Sequence, residues 1–290
     1  MIADSADQAI LDAACSAIDL DDGPVTLLKK HATGIYLHEP AQVVMRVSRG
    51  KERERGRTAV AIARWLNEQD FPATEPLDVV QPFDLDDASV TFWHYYPQGD
   101  RPAPEPAALG TLLRQLHRLP EPPISLASYR PLVRLGAAQR ADHLPDDDRQ
   151  WLGQRRSELL ADYDRLESEL GHGFIHGDAY PGNVLWDGDR PILGDWDEIA
   201  RGPRELDLVN THQGARFGRS AADRAAFTDA YGWDVTSWPG FSTLRAMRDL
   251  HTLAVFIERA AAGDEPASAE LRHRIATLQL DQPDASWQSA

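Results

Sequence analysis

Three short segments in the first third of the chain, TGIYLHEP, AQVVMRVS and SVTFWHYYP, are together rich in Val, Tyr, Phe and Trp and are bounded by Pro, Gly or Asp. That texture predicts β-strands. Between them RTAVAIARWLNEQ sets Val60, Ile62, Ala63, Trp65 and Leu66 at mostly helical spacing, so one main helix is expected in a strand-rich region. The pattern changes near residue 100. After the Pro-rich stretch QGDRPAPEP, apolar positions recur with helical period in ALGTLLRQLHRL, in DDDRQWLGQRRSELLADYDRLESEL and in further segments to the end. The expected fold is α+β with two lobes: a small antiparallel-sheet lobe over residues 1–96, a connector over 97–106, and a larger, mainly helical lobe over 107–290.

One stretch breaks the helical pattern of the second lobe. Residues 174–199 read FIHGDAYPGNVLWDGDRPILGDWDEI, with Val184, Leu185 and Trp186 as one strand, a turn at Asp187-Gly188-Asp189, and Ile192 and Leu193 as the returning strand. Such a hairpin folds Asp195 back beside Asn183, and Asp178 stands five positions before Asn183. Asp187 and Asp189 are read as turn residues.

Composition narrows the setting. A chain of 290 residues, 42% hydrophobic and 26% charged, can bury a full core. The N-terminus MIADSADQAILDAACSAIDL carries acids and no base, which argues against a secretory signal, and no apolar run approaches a membrane span. A cytoplasmic protein without a membrane partner is expected. The single cysteine, Cys15, allows neither an internal disulfide nor a thiolate metal cage. A net charge of -16 argues against a nucleic-acid partner and mildly favours a cationic ligand, although acidic surfaces serve solubility more often.

The spacing of the acids suggests a chemistry. Phosphoryl transfer needs a carboxylate that orients and deprotonates the attacking hydroxyl, and oxygen ligands that hold magnesium against the phosphates. Protein kinases use the Asp and Asn of a D-x-x-x-x-N loop and the Asp of a following D-F-G. Asp178 and Asn183 have that spacing, and Asp195 follows after the hairpin. An Asp, an Asn and phosphate oxygens form a hard donor set of the kind magnesium prefers.

HGDAYPGNVLW, followed by LGDWDEIARGPRELDL, resembles the aminoglycoside phosphotransferase and choline kinase-like family, small-molecule relatives of the protein kinases. VVMRVSRG, ARWLNEQDFPATEPL, VTFWHYYP and LGTLLRQLH fall in the order that family shows, so the resemblance spans most of the chain. It implies a two-lobed protein-kinase-like fold, ATP or GTP with Mg2+, and a small hydroxyl-bearing acceptor. By that resemblance Asp178 is the catalytic position, and Asn183 and Asp195 are the magnesium positions. Arg46 in VVMRV matches the nucleotide-lobe cation. His94, Tyr95 and Tyr96 match the hinge that pairs with the purine edge, and Leu185 its floor. HATGIY, with its single Gly34, stands where the phosphate-covering loop should be. His176 and Asp207 correspond to residues that brace the catalytic loop. The acceptor implied is an aminoglycoside or other antibiotic, with choline, a sugar or an amino-alcohol as the alternative. Asp197, Glu198 and Glu258 are candidates to receive a cationic acceptor. The oligomeric state is left open.

One departure from the family is visible. Its first helix usually carries a Glu that pairs with the strand cation, and here that position is Ala59. Glu52 or Glu54 serves instead if the helix starts early, and a nucleotide binder without turnover is the rival reading if neither does. A second rival is a zinc hydrolase using His172, His176 and Asp178, which requires both histidines on one helical face, whereas GHGFIHGD is Gly-rich and a poor helix. Trp65, Trp93 and Trp186 are read as packing residues.

Overall fold

The computed structural model describes residues 5–30, 33–138 and 144–289. The chain runs α1 (Ser5–Ala17), β1 (Val25–Lys30), β2 (Gly34–His38), β3 (Val43–Arg49), α2 (Glu52–Glu68), β4 (Phe83–Leu85) and β5 (Ala88–His94). Three helices follow, α3 (Pro106–Leu116), α4 (Val133–Ala138) and α5 (Asp146–Tyr163). Four short strands come next: β6 (His172–Ile175), β7 (Val184–Asp187), β8 (Arg190–Leu193) and β9 (Ala200–Pro203). The rest is helical, α6 (Leu206–Gln213), α7 (Ala221–Tyr231), α8 (Phe241–His251), α9 (Leu253–Ala261) and α10 (Glu265–Gln279). The fold is α+β, with the antiparallel sheet in the N-terminal region and helices dominating the remainder.

Two compact units are present. The first is drawn from Met1–Pro104, Arg118–Ser125 and Gly182–Ile199, the second from Glu105–His117, Leu126–Pro181 and Ala200–Ala290. The β7–β8 hairpin, expected within the helical part, therefore packs with the sheet.

In the first unit the five strands lie in the order β1-β2-β3-β5-β4, antiparallel throughout. Side chains alternate across a sheet, so β3 divides into two sets. Val43, Met45 and Val47 join Val90, Phe92 and Tyr36 in a core closed by Ile10, Leu11 and Ala14 of α1. Helix α1 thus covers one face. Val44, Arg46 and Ser48 point to the other face. There α2 packs, with Ala59, Ile62, Ala63 and Leu66 fully buried.

The hairpin is fastened to this unit by backbone bonds. Thr74 N–H donates to Leu193 O at 2.9 Å, and Leu193 N–H donates to Pro72 O at 2.8 Å. Trp196, fully buried, meets Phe71 edge-on at 6.1 Å between ring centroids. The connector is tied to the same hairpin: Trp186 N–H donates to Gln98 Oε1 at 2.9 Å, and Arg101 stacks over the Trp186 ring at 3.6 Å.

In the second unit α3 lies against α7 so closely that a Cβ on Gly110 would stand 2.4 Å from Phe227 O. Strands β6 and β9 pair antiparallel, and α6 follows directly after β9. That order places Asp207, in the first turn of α6, beside the loop leaving β6.

Candidate active site

In the first unit the hairpin register sets Val184 opposite Leu193. Gly194 N–H then donates to Asn183 O at 2.9 Å, so Asn183 and Asp195 are brought side by side. Asn183 is buried, whereas the Asp195 side chain is 49% exposed. Asp195 has φ 63°, in the left-handed region that aspartate enters more readily than most non-glycine residues.

Arg46 comes from β3. Its Nη2 lies 3.2 Å from Asp195 Oδ1 and also donates to Asp197. Burial alone would lower the Arg46 pKa, but the charges of Asp197 and Asp195 hold it above its ordinary value. Burial pushes the Asp197 carboxyl above its ordinary value, with Arg46 opposing and Asp195 and Glu52 adding to the rise. Helix α2 begins at Glu52, which pairs with Arg55 at 3.0 Å, and Glu54 is 83% exposed. Neither pairs with Arg46. Among the described residues the carboxylates that pair with Arg46 are Asp195 and Asp197, two residues apart.

A cavity of about 310 Å3 in this unit is lined by Arg46, Asn183, Asp195 and Leu185 together with His94, Tyr95, Tyr96 and Trp93. Just past β5, Tyr95 N–H donates to Gln42 O at 3.1 Å. Among the described residues the Tyr96 N–H has no hydrogen-bond partner. Gly34 opens β2 opposite Val47, where a Cβ would stand 2.7 Å from the Tyr36 ring. His31 and Ala32 of HATGIY lie outside the described residues.

In the second unit the loop carrying Asp178 is built around Asp207. The fully buried Asp207 carboxylate accepts from the N–H groups of His176 and Gly177, each at 2.8 Å, and from His117 Nε2 at 3.0 Å. Two successive N–H groups can converge on one carboxylate because Gly177 has φ 81°. Burial would raise the Asp207 pKa, but the His117 hydrogen bond and charge and the His176 backbone hold it below the ordinary range. His176, also fully buried, accepts the Asp178 N–H at its Nδ1, 3.3 Å away. The Asp178 carboxylate is thereby presented on a braced backbone.

Arg248 of α8 donates from Nη2 to Asp178 Oδ1 at 2.6 Å. Sequence reasoning missed it, since it lies 70 residues downstream in an unremarkable amphipathic helix and no motif marks it.

The three acids expected to receive a cationic acceptor are engaged otherwise. Asp197 faces Arg46, Glu198 pairs with Arg55 at 2.6 Å, and Glu258 pairs with Arg134, its Oε1 accepting from Nε at 2.9 Å. Asp197 and Glu198 belong to the sheet-bearing unit rather than the helical one. The zinc reading also loses its basis: His172 opens strand β6 and His176 follows its end, instead of the two sharing a helical face. Among the described residues no group of three His, Cys, Asp or Glu side chains is placed to hold a metal ion. No described helix is long and apolar enough to cross a membrane.

In the second unit Asp207 braces the HGD loop, and in the first the hairpin brings Asn183 to Asp195 beside Arg46. Residues 33–278 match the family described as the phosphotransferase enzyme family, and the chain belongs to it. No curated protein matches the chain. Among solved structures it is similar to an amicoumacin kinase in complex with AMP-PNP, Ca2+ and Ami (TM-score 0.74, 14% identity, covering 99% of this chain and 96% of that one). It is also similar to a choline/ethanolamine kinase family protein from Mesorhizobium loti (TM-score 0.65, 17% identity, 93% and 94% covered). A third is a spectinomycin phosphotransferase in complex with ADP and spectinomycin (TM-score 0.63, 15% identity, 96% and 95% covered). Identities this low establish a shared fold.

Proposed function

We propose that the chain transfers the γ-phosphoryl group of ATP or GTP to a hydroxyl of a small molecule, with Asp178 as the catalytic residue. The reading is carried by the 310 Å3 cavity, whose wall unites Arg46, Asn183 and Asp195 with the hinge residues 94–96. In this reading the purine edge pairs with hinge backbone, where the Tyr96 N–H has no other partner, and packs on Leu185. Arg46, a permanent cation with a forked donor set, meets the phosphates.

The donor set fits magnesium. Asn183 and Asp195 supply hard oxygens side by side, and the exposed Asp195 carboxylate is open to a hydrated cation. Magnesium held there would supply charge neutralisation at the phosphates of the nucleotide. Asp178 accepts the proton of the acceptor hydroxyl as that oxygen bonds to the γ-phosphorus. The bond from phosphorus to the bridging oxygen breaks, and the nucleoside diphosphate leaves with the electron pair.

The acceptor is a hydroxyl on an antibiotic, whose phosphorylation would confer resistance, or on a primary metabolite. A cationic acceptor finds no support in Asp197, Glu198 and Glu258, each of which faces an arginine. A binder without turnover is disfavoured as well, because Asp197 supplies the ion pair whose absence at Ala59 motivated that rival. The test is thermal stabilisation by ATP and GTP with and without Mg2+, followed by nucleotide consumption with a panel of hydroxylated compounds. Stabilisation that requires Mg2+ and acceptor-dependent consumption are expected; no stabilisation by either nucleotide would overturn the reading.

A further inference from the structure

A cavity of about 660 Å3 lies within the helical unit, and its wall is cationic. Arg134, Arg219, Arg248 and Arg274 all contribute to it, and among the described residues no aspartate or glutamate does. Two of the four are committed elsewhere: Arg134 donates to Glu258, and Arg274 donates to Glu270 at 2.8 Å. Arg219 has no carboxylate partner among the described residues. Arg248 spends Nη2 on Asp178, while its Nε is buried with no hydrogen-bond partner. Asn210 also lines the cavity; it is 8% exposed, and its Nδ2 is buried and unpartnered. Buried donors without an acceptor are costly and uncommon in native folds, so these mark a place for acceptor atoms from outside the chain.

We propose that this cavity receives the acceptor and that the acceptor is an anion: a hydroxylated compound carrying a carboxylate or phosphate group that Arg219, Arg248 and Asn210 bind while its hydroxyl reaches Asp178. The hydroxyl's fate rests on the phosphotransferase reading; the anion site rests on the cavity alone. Arg248 joins the two, since it touches the Asp178 carboxylate and also forms part of the cavity wall. The volume suits a ligand from sugar size upward. The overall charge of -16 points the other way, but it acts at long range and is screened, whereas groups lining a partly desolvated cavity act on the ligand directly.

The experiment is calorimetric titration of the full chain, without nucleotide, with gluconate, glycerol 3-phosphate, glucose and glucosamine. At least one of the two anions is expected to bind at least about tenfold more tightly than glucose and glucosamine, and Arg219→Gln and Asn210→Ala should each weaken it, Arg219→Gln by about tenfold. Comparing the two anions tells carboxylate from phosphate. Equal or tighter binding of glucose or glucosamine, no binding of either anion, or an Arg219→Gln variant with unchanged anion affinity overturns the proposal. Nucleotide consumption on the same compounds separates the two claims. Transfer to glucose or glucosamine but not to the anions contradicts the anion site and leaves the kinase standing. Anion binding lost in Arg219→Gln, without transfer from ATP or GTP to that anion, supports the anion site and contradicts its role in receiving the acceptor.

Discussion

Asp197 stands opposite Arg46, accepting from the same Nη2 that reaches Asp195 at 3.2 Å. A cation that is mostly buried needs a partner, and here it comes from the segment that also carries the proposed magnesium ligand. Asp197→Ala should raise the KM for nucleotide by about three- to tenfold with a smaller effect on the acceptor KM, because Arg46 keeps only Asp195. Arg46→Ala should do at least as much, and Glu52→Gln and Glu54→Gln should be nearly silent. Nucleotide affinities of the four variants check this; a strong Glu52→Gln effect with a silent Asp197→Ala would reverse the assignment.

Asp207 is expected to hold the catalytic loop in shape. Replacing it with Ala removes the acceptor of the His176 and Gly177 N–H groups and of His117, at a cost of about 3–5 kcal/mol. Its folded pKa is depressed, so its contribution is present above the unfolded value near pH 4 and is lost as pH falls through the folded value. Urea unfolding of Asp207→Ala should show the loss at pH 7. A variant as stable as the parent would mean the loop is held by other contacts.

Asp195→Ala and Asp187→Ala separate the two ends of the hairpin. Asp195 sits beside Asn183, whereas Asp187 is exposed at the turn, opposite Arg190. A Mg2+ titration of nucleotide binding should be shifted by about tenfold or more in Asp195→Ala and unchanged in Asp187→Ala. Identical curves would remove Asp195 from the metal site.

His212 gives a pH signature. Burial pushes its pKa down to about 4, with Asp234 opposing and Arg224 and Arg245 adding, while its ring packs edge-on against Phe227 and Phe241. Between about pH 6.5 and about pH 4 the unfolded chain therefore binds a proton that the folded chain does not. Stability should fall as pH drops through that window, and His212→Gln should flatten this part of the profile. Chemical denaturation at several pH values reads the slope, and an unchanged slope in the variant would place the titration on another group.

The hairpin was legible because its signal is local. Apolar runs on either side of Asp187-Gly188-Asp189 mark a hairpin, and its register brings Asp195 to Asn183. Asp207 could be placed only through the family resemblance, since nothing in RELDL announces that its carboxylate receives the N–H groups of residues 176 and 177. Helix α1 was left out because its mixed, acidic sequence shows a narrow apolar stripe, Ile10, Leu11 and Ala14, whose burial depends on the sheet. The Arg46–Asp197 and Asp178–Arg248 pairs span 151 and 70 residues and leave no periodic trace. Net charge is a sum over the surface and says little about the wall of one cavity, here with four arginines and, among the described residues, no carboxylate.

The central claim, that Asp178 acts on the acceptor of a phosphoryl transfer, is tested most directly by Asp178→Asn. The substitution keeps the shape of the side chain and removes the carboxylate that takes the proton. Acceptor-dependent nucleotide consumption should fall by about a hundredfold or more, while nucleotide affinity, measured on the same preparation, stays within about twofold. A variant that retains most of the parent's turnover would contradict the account.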